Sequence, residues 1–313
     1  MNKFILKTIK FLSIPLFASV LLYLLLSKKI TNGSYLAALY EFKQPLLQQH
    51  QHQKKIIIIG GSNGKFCYYS PIIKKHFSEY EVINASLQGN VGLMHSLNYI
   101  KPYLNKDDIV ILSPEYAMLQ TESGLYGNYQ STHLMSVYNG VFNQNFKDLN
   151  YLQSFLSQSF MHYKALLEIL VIRIVIGNKQ QKELFIKKHH NEYGDIIHAK
   201  GKINYVSFPI QIDTNFNQYA IEFLSNYQKF CTENKINFFV NFPAVAKQAL
   251  TIQLDDSLFL QSFKSNFKNV MYLNFPSDAV ADKEYFFDSP YHLREKEQHE
   301  HTEKLCAHLK SKL

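Results

Sequence analysis

The chain has no tryptophan and only three cysteines among its 313 residues. Cys67, Cys231 and Cys306 are far apart and odd in number. That pattern excludes a disulfide scaffold and the paired spacing of a structural zinc site. They read as buried apolar residues, with one disulfide left open for an oxidising compartment. Charge is sparse too: Asp, Glu, Lys and Arg make up 19 % of the chain, against about 25 % in ordinary soluble domains. The net charge is +8, but the lysines are scattered and form no basic stripe interleaved with aromatics, which argues against a nucleic-acid partner. An anionic membrane surface or an anionic glycan suits that balance. Thirteen histidines are present. The groups His50/His52, His189/His190 and His299/His301 lack a matching set of carboxylates or cysteines, so neither a metal site nor a cofactor is expected.

What is plentiful is apolar and aromatic: 46 % hydrophobic residues, with 24 Phe and 21 Tyr. Residues 11–27 carry no charge. A bilayer core of about 30 Å needs roughly 20 helical residues, and about 17 is the lower limit, so this run spans. Lys3, Lys7 and Lys10 precede it and Lys28 and Lys29 follow it, while Pro15 bends such a helix without forbidding it. The run ends in Lys-Lys and not in a small-x-small cleavage site, which favours a retained anchor over a signal peptide. The expectation is a membrane anchor over 1–30, a Gln-rich polar stalk over 31–53 with a short helical patch at 35–40, and one domain over 54–313.

That domain opens with Ile56-Ile57-Ile58-Ile59 running into Gly60-Gly61. Four β-branched residues before paired glycines predict a parallel strand buried on both faces and ending in a tight turn. Similar runs lie at 80–84, 108–112, 236–242 and 270–274, with helical patterns at 92–104 and 217–233 and a final amphipathic helix at 295–313. Strands alternating with helices predict an α/β fold, a three-layer α/β/α sandwich around a parallel sheet. The alternation fails over about 118–213, where helical segments at 149–159, 161–176 and 179–189 predict an inserted cap. Within it, 166–176 is apolar but carries Glu168 and Arg173 and is too short to span a bilayer.

Two places carry chemistry. Ser62, in Gly60-Gly61-Ser62-Asn63-Gly64, follows the first strand and opens a helix. It therefore sits where α/β sheets bind ligands, with backbone N–H groups that suit a developing oxyanion. Near the other end, Asp288-Ser289-Pro290-Tyr291-His292 puts a carboxylate and an imidazole on one loop. Asp288 fixes the tautomer and His292 takes the proton of Ser62. Each feature alone has an ordinary explanation as a turn, cap or surface pair; their joint occurrence carries the reading. A phosphate-binding loop is excluded, because Gly60 is one residue too close to Gly64-Lys65 and Phe66 stands where Ser or Thr should touch magnesium. The turn also fits the nucleophile elbow of α/β-hydrolases, but that fold places strands before the serine and puts acid and base on separate loops.

The order of these motifs resembles the SGNH (GDSL-like) hydrolases, whose domain is a flavodoxin-like parallel α/β sandwich. Gly60-Gly61-Ser62-Asn63 resembles the first block of that superfamily, Asn84 to Gly89 the second, and Asp288 to His292 the last. The chain is also similar to membrane-anchored envelope members with Pro114-Glu115-Tyr116, Asn191 to Asp195 and Asp288 to Leu293 in corresponding places. The resemblance implies Ser62, Asp288 and His292 as catalytic residues and the Gly89 N–H as an oxyanion donor. The third block departs: Leu112-Ser113-Pro114-Glu115-Tyr116 offers no Asn, and losing such a donor costs about 10²–10³ in turnover. Asn63 is the candidate to compensate, and Glu115 the candidate to bond backbone amides or a substrate hydroxyl. Acid and base are four residues apart where three is usual. The implied protein is a single-pass protein of the bacterial inner membrane with its domain on the periplasmic, extracytoplasmic side. Its function is then that of a serine esterase or O-acyltransferase on an acylated envelope glycan or lipid-linked substrate, with a membrane-protein partner possible. The competing class is a catalytically inactive SGNH-like protein that binds or assembles exported polysaccharide.

Overall fold

The isoleucine run is the centre of the structure. The computed structural model describes residues 35–128, 186, 188–197, 205–252 and 254–313. The anchor expected over 1–30, and most of the insert expected over 118–213, lie outside these residues. Among the described residues no helix is long and apolar enough to cross a membrane.

Strand β1 (Lys55–Gly60) has every residue buried, as a strand covered on both faces must. It pairs in parallel with β2 (Glu81–Asn84) on one side and β3 (Ile109–Ser113) on the other. β3 then pairs with β4 (Asn237–Val240), and β4 with the short β6 (Met271–Tyr272), both in parallel. The sheet order is β2-β1-β3-β4-β6. A two-stranded parallel side sheet joins β5 (Val245–Ala246) to β7 (Val280–Ala281). Nine α-helices occur among the described residues. The described residues form an α/β fold with a five-stranded parallel sheet, consistent with a three-layer fold. The chain steps from β1 to β2 on one side, then returns past β1 to build outward from β3. The crevice between the carboxyl ends of β1 and β3 is thus the switch point, where open α/β sheets take ligands. Gly60 faces Ser113 there, and a Cβ on Gly60 would lie 2.2 Å from the Ser113 carbonyl oxygen.

Where the sequence reads as a polar stalk, residues 35–49 form helix α1 (Tyr35–Gln49), which packs on the domain. Leu36, Leu39, Tyr40, Lys43 and Leu47 recur at helical spacing and are buried, while the glutamines near its end face outward. Its Lys43 is fully buried, and its Nζ donates to the carbonyl oxygens of Asn84 (2.8 Å) and Ser86 (2.6 Å), just past the end of β2. At the opposite end of the sheet a second buried lysine, Lys55, pairs with Asp108 at 2.8 Å, both side chains inaccessible to solvent. The three cysteines are buried and unpaired. With no tryptophan, phenylalanines fill the far side of the core: Phe242 meets Phe259 and Phe263 edge to face, each pair with ring centroids 5.2 Å apart.

Candidate active site

After β1 the chain turns at Gly61, and Ser62 opens helix α2 (Ser62–Cys67). Gly61 is required by crowding. A Cβ there would sit 2.3 Å from Glu115 Oε1 and 2.9 Å from the Gly89 Cα. Ser62 is half-buried, with its hydroxyl at the switch point.

The imidazole arrives from the other end of the chain. Phe286 and Leu293 form an antiparallel bridge, and Phe287 N–H donates to the His292 carbonyl at 2.6 Å. The loop between is closed by His292 N–H donating to the Ser289 carbonyl (3.2 Å), and Ala246 N–H ties it to the side sheet through the Pro290 carbonyl (2.9 Å). This closed turn accommodates the four-residue spacing and sets Asp288 beside His292. The Nδ1 of His292 lies 2.5 Å from Asp288 Oδ1, and its Nε2 lies 2.7 Å from Ser62 Oγ. Phe66, one turn along α2 from Ser62, stacks on the imidazole with centroids 3.9 Å apart and planes 10° from parallel. Asp288, Ser62 and His292, expected as a triad, are therefore in hydrogen-bonding contact. Asp288 is more open than His292, with 44 % of its side chain accessible against 13 %.

The residues expected around the oxyanion divide. Asn63 does not face the site. It is fully buried, and its Nδ2 donates to the Ser113 carbonyl (3.0 Å) and hydroxyl (2.9 Å). Its amide locks the β1 turn to the end of β3, so it is not free to complete an oxyanion hole as the sequence suggested. The Ser113 hydroxyl continues the network to Tyr68 Oη (2.9 Å), which accepts from Asn241 Nδ2 (2.8 Å). Gly89 lies at the site, and so does Glu115. A Cβ on Gly89 would meet Glu115 Oε2 at 2.1 Å. Glu115 Oε1 accepts from the Ser62 backbone N–H at 2.9 Å and from Ser62 Oγ at 3.1 Å. The carboxylate thus fills the space framed by Ser62 N–H, Gly61 and Gly89.

Ser62 Oγ carries one hydrogen but has two partners, Nε2 of His292 and Oε1 of Glu115, which compete for it.

Other site residues were not visible in the sequence. Lys65, nearly inaccessible, lies over the Tyr35 ring of α1 at 5.2 Å. Burial pulls its ammonium down to about 8, against the opposing fields of Glu115 and Asp288. Beside it is a polar cluster that the Asn191–Asp195 motif only hinted at. Asp195 accepts from Ser70 N–H (2.8 Å), Ser70 Oγ (2.7 Å), Asn84 Nδ2 (2.9 Å) and Asn191 Nδ2 (2.9 Å). Outside the triad, a cleft of about 480 Å³ is lined by Glu115, Gln120, Phe208, Gln211, Asp213 and Tyr291 among others. Glu115 is therefore shared between that cleft and Ser62. Among the described residues no group of three or more His, Cys, Asp or Glu is arranged to hold a metal. In comparisons with known proteins, no family model, no curated protein and no solved structure matches this chain.

Proposed function

We propose that this chain is a serine-dependent enzyme of the SGNH type acting on ester bonds, as an esterase or O-acyltransferase. One observation carries the reading: Ser62 Oγ lies 2.7 Å from His292 Nε2 while Asp288 holds the other ring nitrogen at 2.5 Å. A nucleophile, a base and an orienting carboxylate in contact are the requirements for covalent acyl transfer. The sheet order β2-β1-β3-β4-β6 is the flavodoxin-like order, with Ser62 at its switch point, in keeping with that class.

In the reaction, Ser62 Oγ attacks the acyl carbon as its proton passes to His292. The ester C–O bond breaks, and His292 returns the proton to the departing alkoxide. Water or a second hydroxyl then loses its proton to His292, attacks the acyl-serine and frees Ser62 Oγ, which takes the proton back. Water gives hydrolysis; a sugar hydroxyl gives transfer. The apolar run over 11–27 fits an anchor in the bacterial inner membrane with the domain on the extracytoplasmic side. The substrates proposed are acylated envelope glycans or lipid-linked esters.

A second reading has its own observation. Glu115 Oε1, 2.9 Å from Ser62 N–H, holds a position an oxyanion would need, as a non-catalytic binding protein could tolerate. Labelling by a fluorophosphonate probe separates the two. The full chain in detergent is expected to label, and Ser62→Ala and His292→Ala are expected to lose labelling by about 10⁴-fold or more. A folded wild type that takes up no probe sinks the enzyme reading in favour of binding.

A further inference from the structure

We infer that Glu115 is a displaceable stopper: its carboxylate occupies the oxyanion position of the resting site and must leave before Ser62 reacts. This rests on the reading of Ser62 as the nucleophile. Three contacts define the stopper. Oε1 takes the Ser62 backbone N–H at 2.9 Å, the donor nearest any tetrahedral intermediate on Ser62. The same oxygen takes Ser62 Oγ at 3.1 Å, competing with His292 for the hydroxyl that has to be activated. Oε2 rests against Gly89, where a Cβ would come within 2.1 Å of it.

A carboxylate has the planar pair of oxygens found in an ester, so a pocket that holds one has the shape and the donor for an acyl group. It also carries a negative charge where the transition state develops one, and the two repel. Substrate oxygen and Glu115 oxygen therefore exclude each other both sterically and electrostatically. Glu115 has an alternative place to go. It lines the neighbouring cleft of about 480 Å³, where the side chains of Gln120, Gln211 and Asp213 also lie. Rotation about its side-chain bonds carries the carboxylate from Ser62 into that cleft. Hydroxyl groups of a ligand bound there would donate to it and hold it away. Occupation of the acceptor side then opens the donor side, which disfavours reaction with water alone and favours transfer to a polyhydroxylic acceptor.

The test measures the rate of fluorophosphonate labelling and of p-nitrophenyl acetate turnover for the full chain in detergent, as wild type, Glu115→Gln, Glu115→Ala and Ser62→Ala. The Gln side chain still accepts from Ser62 N–H but has lost its charge; Ala vacates the pocket. The expected order is Ala faster than Gln, and Gln faster than wild type, with Ala ahead of wild type on the order of 10- to 100-fold. Ser62→Ala is expected to stay inert. A Glu115 that helps the reaction directly gives the opposite sign, and one that merely supports the fold gives no change in rate. Wild type and Glu115→Ala labelling at the same rate overturns the stopper and leaves the serine enzyme standing. No labelling in either overturns both. If Glu115→Ala is unfolded by circular dichroism, the comparison of Glu115→Gln with wild type decides, and a rate at or below wild type refutes the proposal.

Discussion

Two polar clusters lie next to each other at the carboxyl ends of β1 and β2, and they are built on opposite plans. In the first, Asp195 takes four hydrogen bonds from Ser70, Asn84 and Asn191, and Lys43 gives two to the carbonyls of Asn84 and Ser86. Lys43 and Asp195 are wholly inaccessible, and every contact has one clear donor and one clear acceptor. In the second, Ser62, His292, Asp288 and Glu115 are half-buried, and a single hydroxyl is claimed by two partners. The first cluster has one hydrogen-bonding solution and is mechanical. The second leaves one hydroxyl shared between two competing partners. Burial raises the cost of an unsatisfied polar group, so the tight cluster stabilises the fold while the looser one is free to react.

The comparison breaks most sharply at Asp195. Replacing it with Ala strands the Ser70 N–H and the two amide groups in a buried site, which is expected to cost about 3–5 kcal/mol in chemical denaturation. The rate of labelling in the folded fraction should remain near that of wild type. A large loss of rate without loss of stability would mean that the two clusters act as one. Asp288→Asn is the converse case. Its carboxylate is partly open to water, so stability should hardly move, whereas fluorophosphonate labelling should slow by about 10²-fold as the His292 tautomer loses its support. That drop is smaller than expected for a fully enclosed acid, because solvent substitutes in part.

The smallest effect is a pH dependence that belongs to the mechanical side. His95 and His190 are buried, and desolvation pulls both down to about 3 from 6.5. In the unfolded chain they take up protons below about pH 6.5 that the folded chain does not. The stability they permit is therefore full above that pH and is lost as pH falls toward 3. Each contributes up to about 1.4 kcal/mol per pH unit. The denaturation midpoint measured from about pH 7 down to about pH 5 should fall, and His190→Phe should flatten the slope. An unchanged slope in that variant would remove His190 from the account.

The elements that local chemistry specifies were legible in the sequence. Ile56 to Ile59 announce a strand covered on both faces, Gly60-Gly61 the tight turn that ends it, and the helical pattern at 217–233 the helix Gln218–Glu233. Asp288 and His292 share a short loop, so their contact with each other follows from spacing once the Phe286–Leu293 bridge closes it. What was not legible depends on direction in space. A lysine in a Gln-rich segment reads as solvated, yet Lys43 reaches two carbonyls that β2 leaves without strand partners, which turns an expected stalk into a packed helix. Asn63 follows Ser62 in sequence, but the helical turn aims it down at Ser113 and away from the cleft. Glu115 was expected to bond a backbone amide, but that the amide is the one of Ser62, reached past Gly89, depends on the β1–β3 register, a long-range quantity no window of residues contains.

The two halves of the site are 230 positions apart along the chain. The helix Glu295–Lys310 clamps them, Gln298 Nε2 donating to the Tyr68 carbonyl (2.8 Å) and Thr302 Oγ1 accepting from Tyr69 N–H (3.0 Å). During synthesis, at roughly 5–20 residues per second, Ser62 therefore precedes His292 by about 10–50 s. For that interval the emerging polypeptide carries Ser62 without the imidazole it meets in the folded chain. On the proposed reading of Ser62, the order of translation itself keeps the hydroxyl silent until residue 292 has been made.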